Sequence, residues 1–98
     1  MTDKRILGLG VISLGWMGRL HARSYRAIAE RFPELGVVPR LVAAADPVDQ
    51  VRQEAVDNLG FERAYADYHD LLADPEVEAV SICAPNFLHH EMALAAVE

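Results

Sequence analysis

The sequence predicts an α/β chain, a Rossmann-like doubly wound parallel sheet of about four strands with flanking helices, incomplete as it stands. Three observations predict it. Apolar runs alternate with segments of helical period in the order β-α-β-α-β-α-β-α, which calls for parallel strands and right-handed crossovers. A glycine-bearing turn joins the first run to the first helix. The second run ends on an acid, Asp46-Pro47.

Ile6 to Ile12 is apolar throughout, as a strand covered on both faces must be. Met17 to Phe32 reads as a helix whose apolar stripe is Met17, Leu20, Ala27, Ile28 and Phe32, closed by Pro33 and Gly36. Pro33 to Pro39 reads as a loop, and Arg40 to Ala45 as the second strand. Val48, Val51, Ala55 and Leu59 recur at helical spacing, with Gly60 as the stop. Ala64-Tyr65 is a short third strand, and Asp67 N-caps a short helix through Leu72. Glu78 to Cys83 reads as the fourth strand, ended by Ala84-Pro85-Asn86. Leu88 to Glu98 is alanine-rich and helical, and runs to the last residue without glycine, proline or cap. That pattern is expected of a chain cut inside or just after a helix. The fourth strand would then leave an apolar edge unpaired, an aggregation hazard.

Length and composition bound the function. The 98 residues, 52% of them hydrophobic, make one domain at most, or a piece of one, and are too apolar for a disordered chain. Nine basic against 15 acidic residues give a net charge of −6, and the basic residues are scattered. Nucleic-acid or anionic-membrane binding, which needs clustered Lys and Arg, is therefore not expected. The single cysteine, Cys83, excludes an intrachain disulfide and a Cys-based metal site, and fits a reducing, cytoplasmic setting. Lys4-Arg5 and the apolar run after it imitate a signal peptide, but no small-residue cleavage site follows. No apolar run approaches the ~18 residues of a membrane span.

The chemistry is carried by Ser13-Leu14-Gly15-Trp16-Met17-Gly18, nearly G-x-G-x-x-G with serine in the first glycine place. In that fingerprint the first glycine permits a tight turn, the second lets the backbone approach a pyrophosphate, and the third lets helix and strand pack closely. Free N–H groups at the helix N-terminus then receive the phosphates. If the first place needs a positive φ, Ser13 is strained there. A second register, Gly8-Leu9-Gly10, is rejected because it would bury Gly15 and Gly18 in the first helical turns at about 1 kcal/mol each. Gly8 and Gly10 read instead as small residues under closely packed helices.

Asp46 at the end of the second strand suits the two hydroxyls of an adenosine ribose and repels a 2′-phosphate, which favours NAD over NADP. It lies farther from Gly18 than the roughly 20 residues usual for the fingerprint, an excess the Pro33 to Pro39 loop absorbs. It also suits the start of the helix after Pro47, a role compatible with ribose binding. Arg52, a turn or more into that helix, is a poor 2′-phosphate clamp. A glycine turn with no ligand remains the plain alternative.

Leu14-Gly15-Trp16-Met17-Gly18-Arg19-Leu20-His21-Ala22 resembles the start of the glucose-fructose oxidoreductase/inositol dehydrogenase (Gfo/Idh/MocA) family. Val80-Ser81-Ile82-Cys83-Ala84-Pro85-Asn86-Phe87-Leu88-His89-His90-Glu91 resembles that family's strand-loop-helix with a Pro-Asn-x-x-His signature. Ala45-Asp46-Pro47 and Tyr65-Ala66-Asp67-Tyr68 sit where the family has them, so the resemblance covers nearly the whole chain.

The resemblance implies that residues 1–98 are the N-terminal part of an NAD(P)-binding domain, with a C-terminal substrate domain outside this chain. It implies a homo-oligomeric parent in which hydride moves between a carbinol carbon of a sugar, cyclitol or related polyol and nicotinamide C4. By resemblance, Ser13, Leu14, Gly15, Trp16, Met17 and Gly18 bind the cofactor, the last four facing the pyrophosphate through their backbone, and Asp46 binds the ribose. Ala84, Pro85, Asn86 and His89 lie at the nicotinamide end. No catalytic residue is expected in this chain, because the family's Glu-Lys-Pro lysine would follow Glu98. The chain alone is thus expected to be inactive.

The remaining residues invite plainer readings. His89 and His90 point about 100° apart on a helix and do not converge on a metal. His21 suits packing or hydrogen bonding, Cys83 an inert buried thiol, Tyr65 and Tyr68 packing, and Asp67 and Asp70 helix ends. Trp16 either shields the cofactor or packs beneath the absent domain. Two rival functions stand: a β-hydroxyacid dehydrogenase fragment, which shares a Gly-Leu-Gly-x-Met-Gly turn, and a stand-alone nucleotide-binding or sensor module without catalysis. The His21-Ala22 and Pro85-to-His89 segments argue against the first.

Overall fold

The computed structural model describes residues 5–31, 34 and 36–97, including all their side chains except those of 29, 30 and 86. Eight elements alternate as expected: β1 (Arg5–Ile12), α1 (Trp16–Arg31), β2 (Val37–Ala45), α2 (Asp49–Asp57), β3 (Arg63–Tyr65), α3 (Tyr68–Leu72), β4 (Ala79–Ile82) and α4 (Asn86–Val97). The strands form one parallel sheet in the order β3-β2-β1-β4. The order reverses between β1 and β4, so a crevice opens at the carboxyl ends of these strands. Among the described residues the outer edge of β4 is unpaired, as expected.

Each face of the sheet has its own core. On one face Val11, Leu41 and Ala44 meet Ala22 of α1 and Ala55 of α2. On the other, Ile12, Val42 and Ala43 meet Leu71 of α3 and Met92 of α4. Burial on both sides explains why β1 and β2 carry no polar alternation.

Four local expectations are corrected. The α1 stripe is wrong: Met17 and Leu20 are 45% and 44% exposed, while Gly18 and Ala22 face the sheet. Small side chains let α1 lie close to β1 and β2, so burial does not follow hydrophobicity along this helix. Phe32 and Pro33, expected at its end, lie outside the described residues.

Second, Val37 to Pro39 are strand, not loop, and Pro39 pairs with Leu7. β3 pairs only with residues 43–45, so the outer side of β2 is open at Pro39 and a missing N–H costs no ladder bond there. Third, Gly8 is covered by the α3–β4 connection rather than by a helix. A Cβ on it would lie 2.0 Å from the Glu76 carbonyl oxygen. Gly10 does lie beneath a helix, 2.9 Å from Leu71 by the same measure.

Fourth, α4 begins at Asn86 rather than Leu88, because the Leu88 N–H already reaches the Pro85 carbonyl at 2.9 Å. Glu98, its expected last residue, lies outside the described residues. Asp67 caps α3 as expected, accepting the His69 N–H at 2.8 Å. Gly60 follows α2 with φ +88°.

Candidate functional site

The turn from β1 into α1 has the conformation the fingerprint requires. Ser13 adopts φ 76°, the left-handed region that glycine enters freely and serine does not. Its N–H donates to the Ala45 carbonyl at 2.7 Å, which binds the turn to the end of β2. A Cβ on Gly18 would stand 2.1 Å from the Ser13 carbonyl oxygen, so only glycine allows α1 to start this close to the strand. Around Gly15 a Cβ would meet nothing within 4 Å. The second glycine place thus opens on free space, as a backbone cradle for a ligand would.

Leu14 differs from its neighbours in the turn. Its side chain is 1% exposed and belongs to the core. Its N–H donates to Asp46 Oδ2 at 3.0 Å, and its carbonyl accepts from Arg19 Nε at 3.3 Å. Both main-chain groups of Leu14 are therefore occupied within the chain. The exposed Trp16 and Met17 open the first turn of α1, where N–H groups lack intrahelical partners.

Asp46 is a buried carboxylate, 9% exposed. Besides Leu14, its Oδ1 accepts the Val48 N–H at 3.0 Å, which makes an Asx turn over Pro47. α2 starts at Asp49 with Val48 in the capping place, so Asp46 turns the chain toward the helix without capping it. Two carboxylate oxygens offer about four acceptor sites, so the two backbone bonds leave capacity for a ligand's hydroxyls. Arg52 folds back from α2 to the main chain here, donating to the Asp46 carbonyl at 2.8 Å and pairing with Asp49.

A cleft of about 490 Å³ lies at the carboxyl ends of the strands. Of the residues given cofactor roles from sequence, Ser13, Asp46, Ala84 and Pro85 line it together, and so does Asp67, read from sequence as a helix cap. Gly15, Trp16, Met17 and Gly18 do not line it. Asn86 opens α4, and its side chain lies outside the described residues.

His89 reaches back from α4 to the Ala84 carbonyl, 2.6 Å from Nε2. A carbonyl only accepts, so Nε2 carries the proton and donates. The ring thus braces the wall of the cleft formed by Ala84 and Pro85.

Sequence reasoning missed part of this cleft. Leu88 and Met92, one helical turn apart on α4, form an apolar wall. Their spacing was visible, but not which side of α4 would face the crevice. Tyr68 also lines it, and its buried hydroxyl has no hydrogen-bond partner among the described residues. Burial pushes this phenol above its usual range, with Glu91 and Asp67 adding to the effect.

The other candidates fall elsewhere. The His21 ring packs edge-on against Tyr25, whose hydroxyl meets Ser81 on β4. Cys83 is half-buried against the α1/α2 core, and burial raises its thiol pKa. Tyr65 donates to Asp74 at 2.9 Å. No group of three or more His, Cys, Asp or Glu among the described residues could hold a metal ion. No helix among them is long and apolar enough to cross a membrane.

Comparison with known proteins agrees with this geometry. Residues 7–98 match the family model GFO_IDH_MocA, described as an oxidoreductase family with an NAD-binding Rossmann fold. Levoglucosan dehydrogenase of Pseudarthrobacter phenanthrenivorans is 35% identical over 94 residues, 94% of this chain and 24% of that protein. Myo-inositol 2-dehydrogenase of Thermotoga maritima is 34% identical over 87 residues, 89% of this chain and 24% of that protein.

Among solved structures, an NAD binding oxidoreductase from Klebsiella pneumoniae superposes with a TM-score of 0.86 at 42% identity, covering 93% of this chain and 24% of that one. A levoglucosan dehydrogenase in complex with NADH superposes with a TM-score of 0.87 at 33% identity, covering 94% of this chain and 25% of that one. The chain spans about a quarter of the length of the curated relatives it matches.

Proposed function

We propose, from the premise that this chain belongs to the Gfo/Idh/MocA oxidoreductase family with its NAD-binding Rossmann fold, that it is the dinucleotide-binding portion of a dehydrogenase acting on a sugar, cyclitol or related polyol. The observation that carries the reading is the pairing of a glycine turn with an acid at the end of β2. Gly15 leaves open space where a pyrophosphate needs it, and Asp46 sits in the cleft beside the turn. The open space at Gly15 and the spare acceptor sites of Asp46 suit a nicotinamide dinucleotide.

In this reading Gly15, Trp16, Met17 and Gly18 present the start of α1 to the pyrophosphate. There the partial positive charge of the helix end favours an anion. Asp46 accepts the adenosine ribose hydroxyls with its spare acceptor sites and repels a 2′-phosphate, so NAD is preferred over NADP. Leu88 and Met92 supply apolar surface for the adenosine half. Ala84, Pro85 and Asn86, braced by His89, lie at the nicotinamide end. When bound, the nicotinamide exchanges hydride with the substrate carbinol. In this reading the described residues hold the cofactor, and none of them is assigned as the acid or base of that exchange. The polyol class rests on the names of the relatives, levoglucosan and myo-inositol dehydrogenases. A cytoplasmic setting and a homo-oligomeric whole protein belong to the same proposal.

Calorimetric titration with NADH and NADPH tests it. Saturable binding of NADH, at least about tenfold tighter than NADPH, is expected; a tenfold ratio corresponds to about 1.4 kcal/mol. No saturable binding of either would overturn it, and tighter NADPH would overturn the role of Asp46.

A further inference from the structure

Arg19 stands in the first turn of α1, and no role was assigned to it from sequence. Its guanidinium bridges two elements. Nε donates back to the Leu14 carbonyl at 3.3 Å, at the long end of the hydrogen-bond range, and an Nη donates to Glu54 on α2 at 2.7 Å. Both side chains are partly shielded from water, 39% and 32% exposed. Glu54 also anchors the end of α2, where its carbonyl accepts from Asn58 and Leu59. The ion pair therefore ties the glycine turn to a helix fixed on the same face of the sheet.

The Leu14–Gly15 peptide is the one that matters. In a trans peptide the carbonyl of one residue and the N–H of the next point to opposite sides. A Leu14 carbonyl held toward Arg19 turns the Gly15 N–H the other way. That N–H has no acceptor among the described residues and stands beside the open space at Gly15. Asp46 holds the preceding peptide from the other side through the Leu14 N–H. The two peptides flanking Leu14 are thus each pinned by a charged side chain.

We infer that Arg19, seated by Glu54, is a positioning residue that orients the Leu14–Gly15 peptide and so aims the Gly15 N–H at the pyrophosphate of the bound dinucleotide. The inference rests on the dinucleotide reading above. Arg19 touches Leu14 and Glu54, so the effect inferred for it passes through the turn. Without it the Leu14 carbonyl loses its partner, and each binding event must bear more of the cost of orienting this peptide.

The test uses this chain, Arg19→Gln, Arg19→Lys, Glu54→Ala and the Arg19→Gln/Glu54→Ala double variant, with NADH as probe. It reads three quantities: the Gly15 amide resonance without ligand, the NADH dissociation constant of the folded protein, and the thermal midpoint. Arg19→Gln is expected to move the Gly15 resonance and weaken NADH roughly tenfold, the scale of one charge-assisted hydrogen bond. Arg19→Lys, which keeps the charge but reaches one partner at a time, restores part of that loss. Glu54→Ala moves both readings in the same direction, and the double variant is no weaker than Arg19→Gln alone.

A Gly15 resonance and affinity unchanged in Arg19→Gln would overturn the inference while leaving the dinucleotide reading intact. Weaker NADH in Arg19→Gln with no effect of Glu54→Ala would also overturn it, because Arg19 would then be a direct phosphate ligand. If wild type fails to bind NADH, the dinucleotide reading fails on its own, and the Gly15 resonance still decides whether Arg19 orients the turn. If Arg19→Gln does not fold, Arg19→Lys carries the same comparison.

Discussion

A Cβ on Gly18 would lie 2.1 Å from the carbonyl oxygen of Ser13, closer than any real Cβ contact. The contact between these two residues sets how tightly the glycine turn folds over the end of β1. Gly15, three positions earlier, has nothing within 4 Å of the same position. Two glycines of one motif therefore serve different ends, one inside the protein and one toward a ligand.

Substitution should separate them. Gly18→Ala forces backbone apart and should cost about 1–3 kcal/mol of stability, read by chemical denaturation. Gly15→Ala should fold as well as wild type, because its Cβ enters empty space and its φ is not positive. It should nevertheless weaken NADH by roughly tenfold or more, since the methyl group occupies the approach to the turn. A Gly15→Ala variant with wild-type affinity would remove the turn from the binding site.

Ser13 carries a backbone cost that glycine would not. A side chain in the left-handed region costs roughly 1–2 kcal/mol. Glycine gives back about 0.4–1 kcal/mol through the freer unfolded chain. Ser13→Gly should therefore raise stability by about 0.5–1 kcal/mol, measured as a shift in the denaturation midpoint with unchanged slope. A loss of stability would mean that the serine side chain stabilises the turn in some other way.

Asp46 accepts two backbone N–H groups, so neutral replacement should be felt before any ligand is added. Asp46→Asn keeps one oxygen and turns an amide toward the other N–H. Leaving a buried donor without an acceptor costs about 1–3 kcal/mol. The expected result is lower stability together with a smaller preference for NADH over NADPH. Ser13→Gly on the Asp46→Asn background should recover part of the stability only, because it relaxes the turn without restoring the ribose acceptor.

Acid should loosen the chain at a site away from the cleft. Asp74 is buried and accepts from Arg63 Nε at 2.7 Å, the Glu76 N–H at 2.9 Å and the Tyr65 hydroxyl at 2.9 Å. The Arg63 guanidinium, followed by the Glu76 N–H, holds its carboxyl down to about 2. A carboxyl depressed in the folded state stabilises above its unfolded value and loses that contribution as pH falls through the folded one. About 2 kcal/mol should therefore disappear between roughly pH 4 and pH 2. Glu62 and Glu76, lowered by Arg40, move the same way. In Asp74→Asn the stability should be lower at neutral pH and its decline in this window shallower.

The fold was legible because its signals are local. The apolar runs of β1 and β2, the cap at Asp67 and the stop at Gly60 depend on neighbouring residues alone. Positive φ at Ser13 could be foreseen because the fingerprint places glycine there. What stayed hidden depends on contacts distant in sequence. Gly18 and Ala22 face the sheet because α1 must come close to it, which the hydrophobic pattern of the helix does not record. Pro39 sits in a strand because β3 is short. The reach of Asp46 to Leu14, and of Arg19 to Glu54, spans more than 30 positions each. Neither pairing has a spacing that marks it in the sequence.

The most direct test of the central claim is to follow the backbone amides of this chain as NADH is added. The account predicts saturable shifts at Gly15, Trp16, Met17 and Gly18, and at Asp46 and Ala84 around the cleft. It predicts that the amides of Asp74 and Glu76 stay where they are. Shifts confined to another surface, or none at all at saturating NADH, would contradict it.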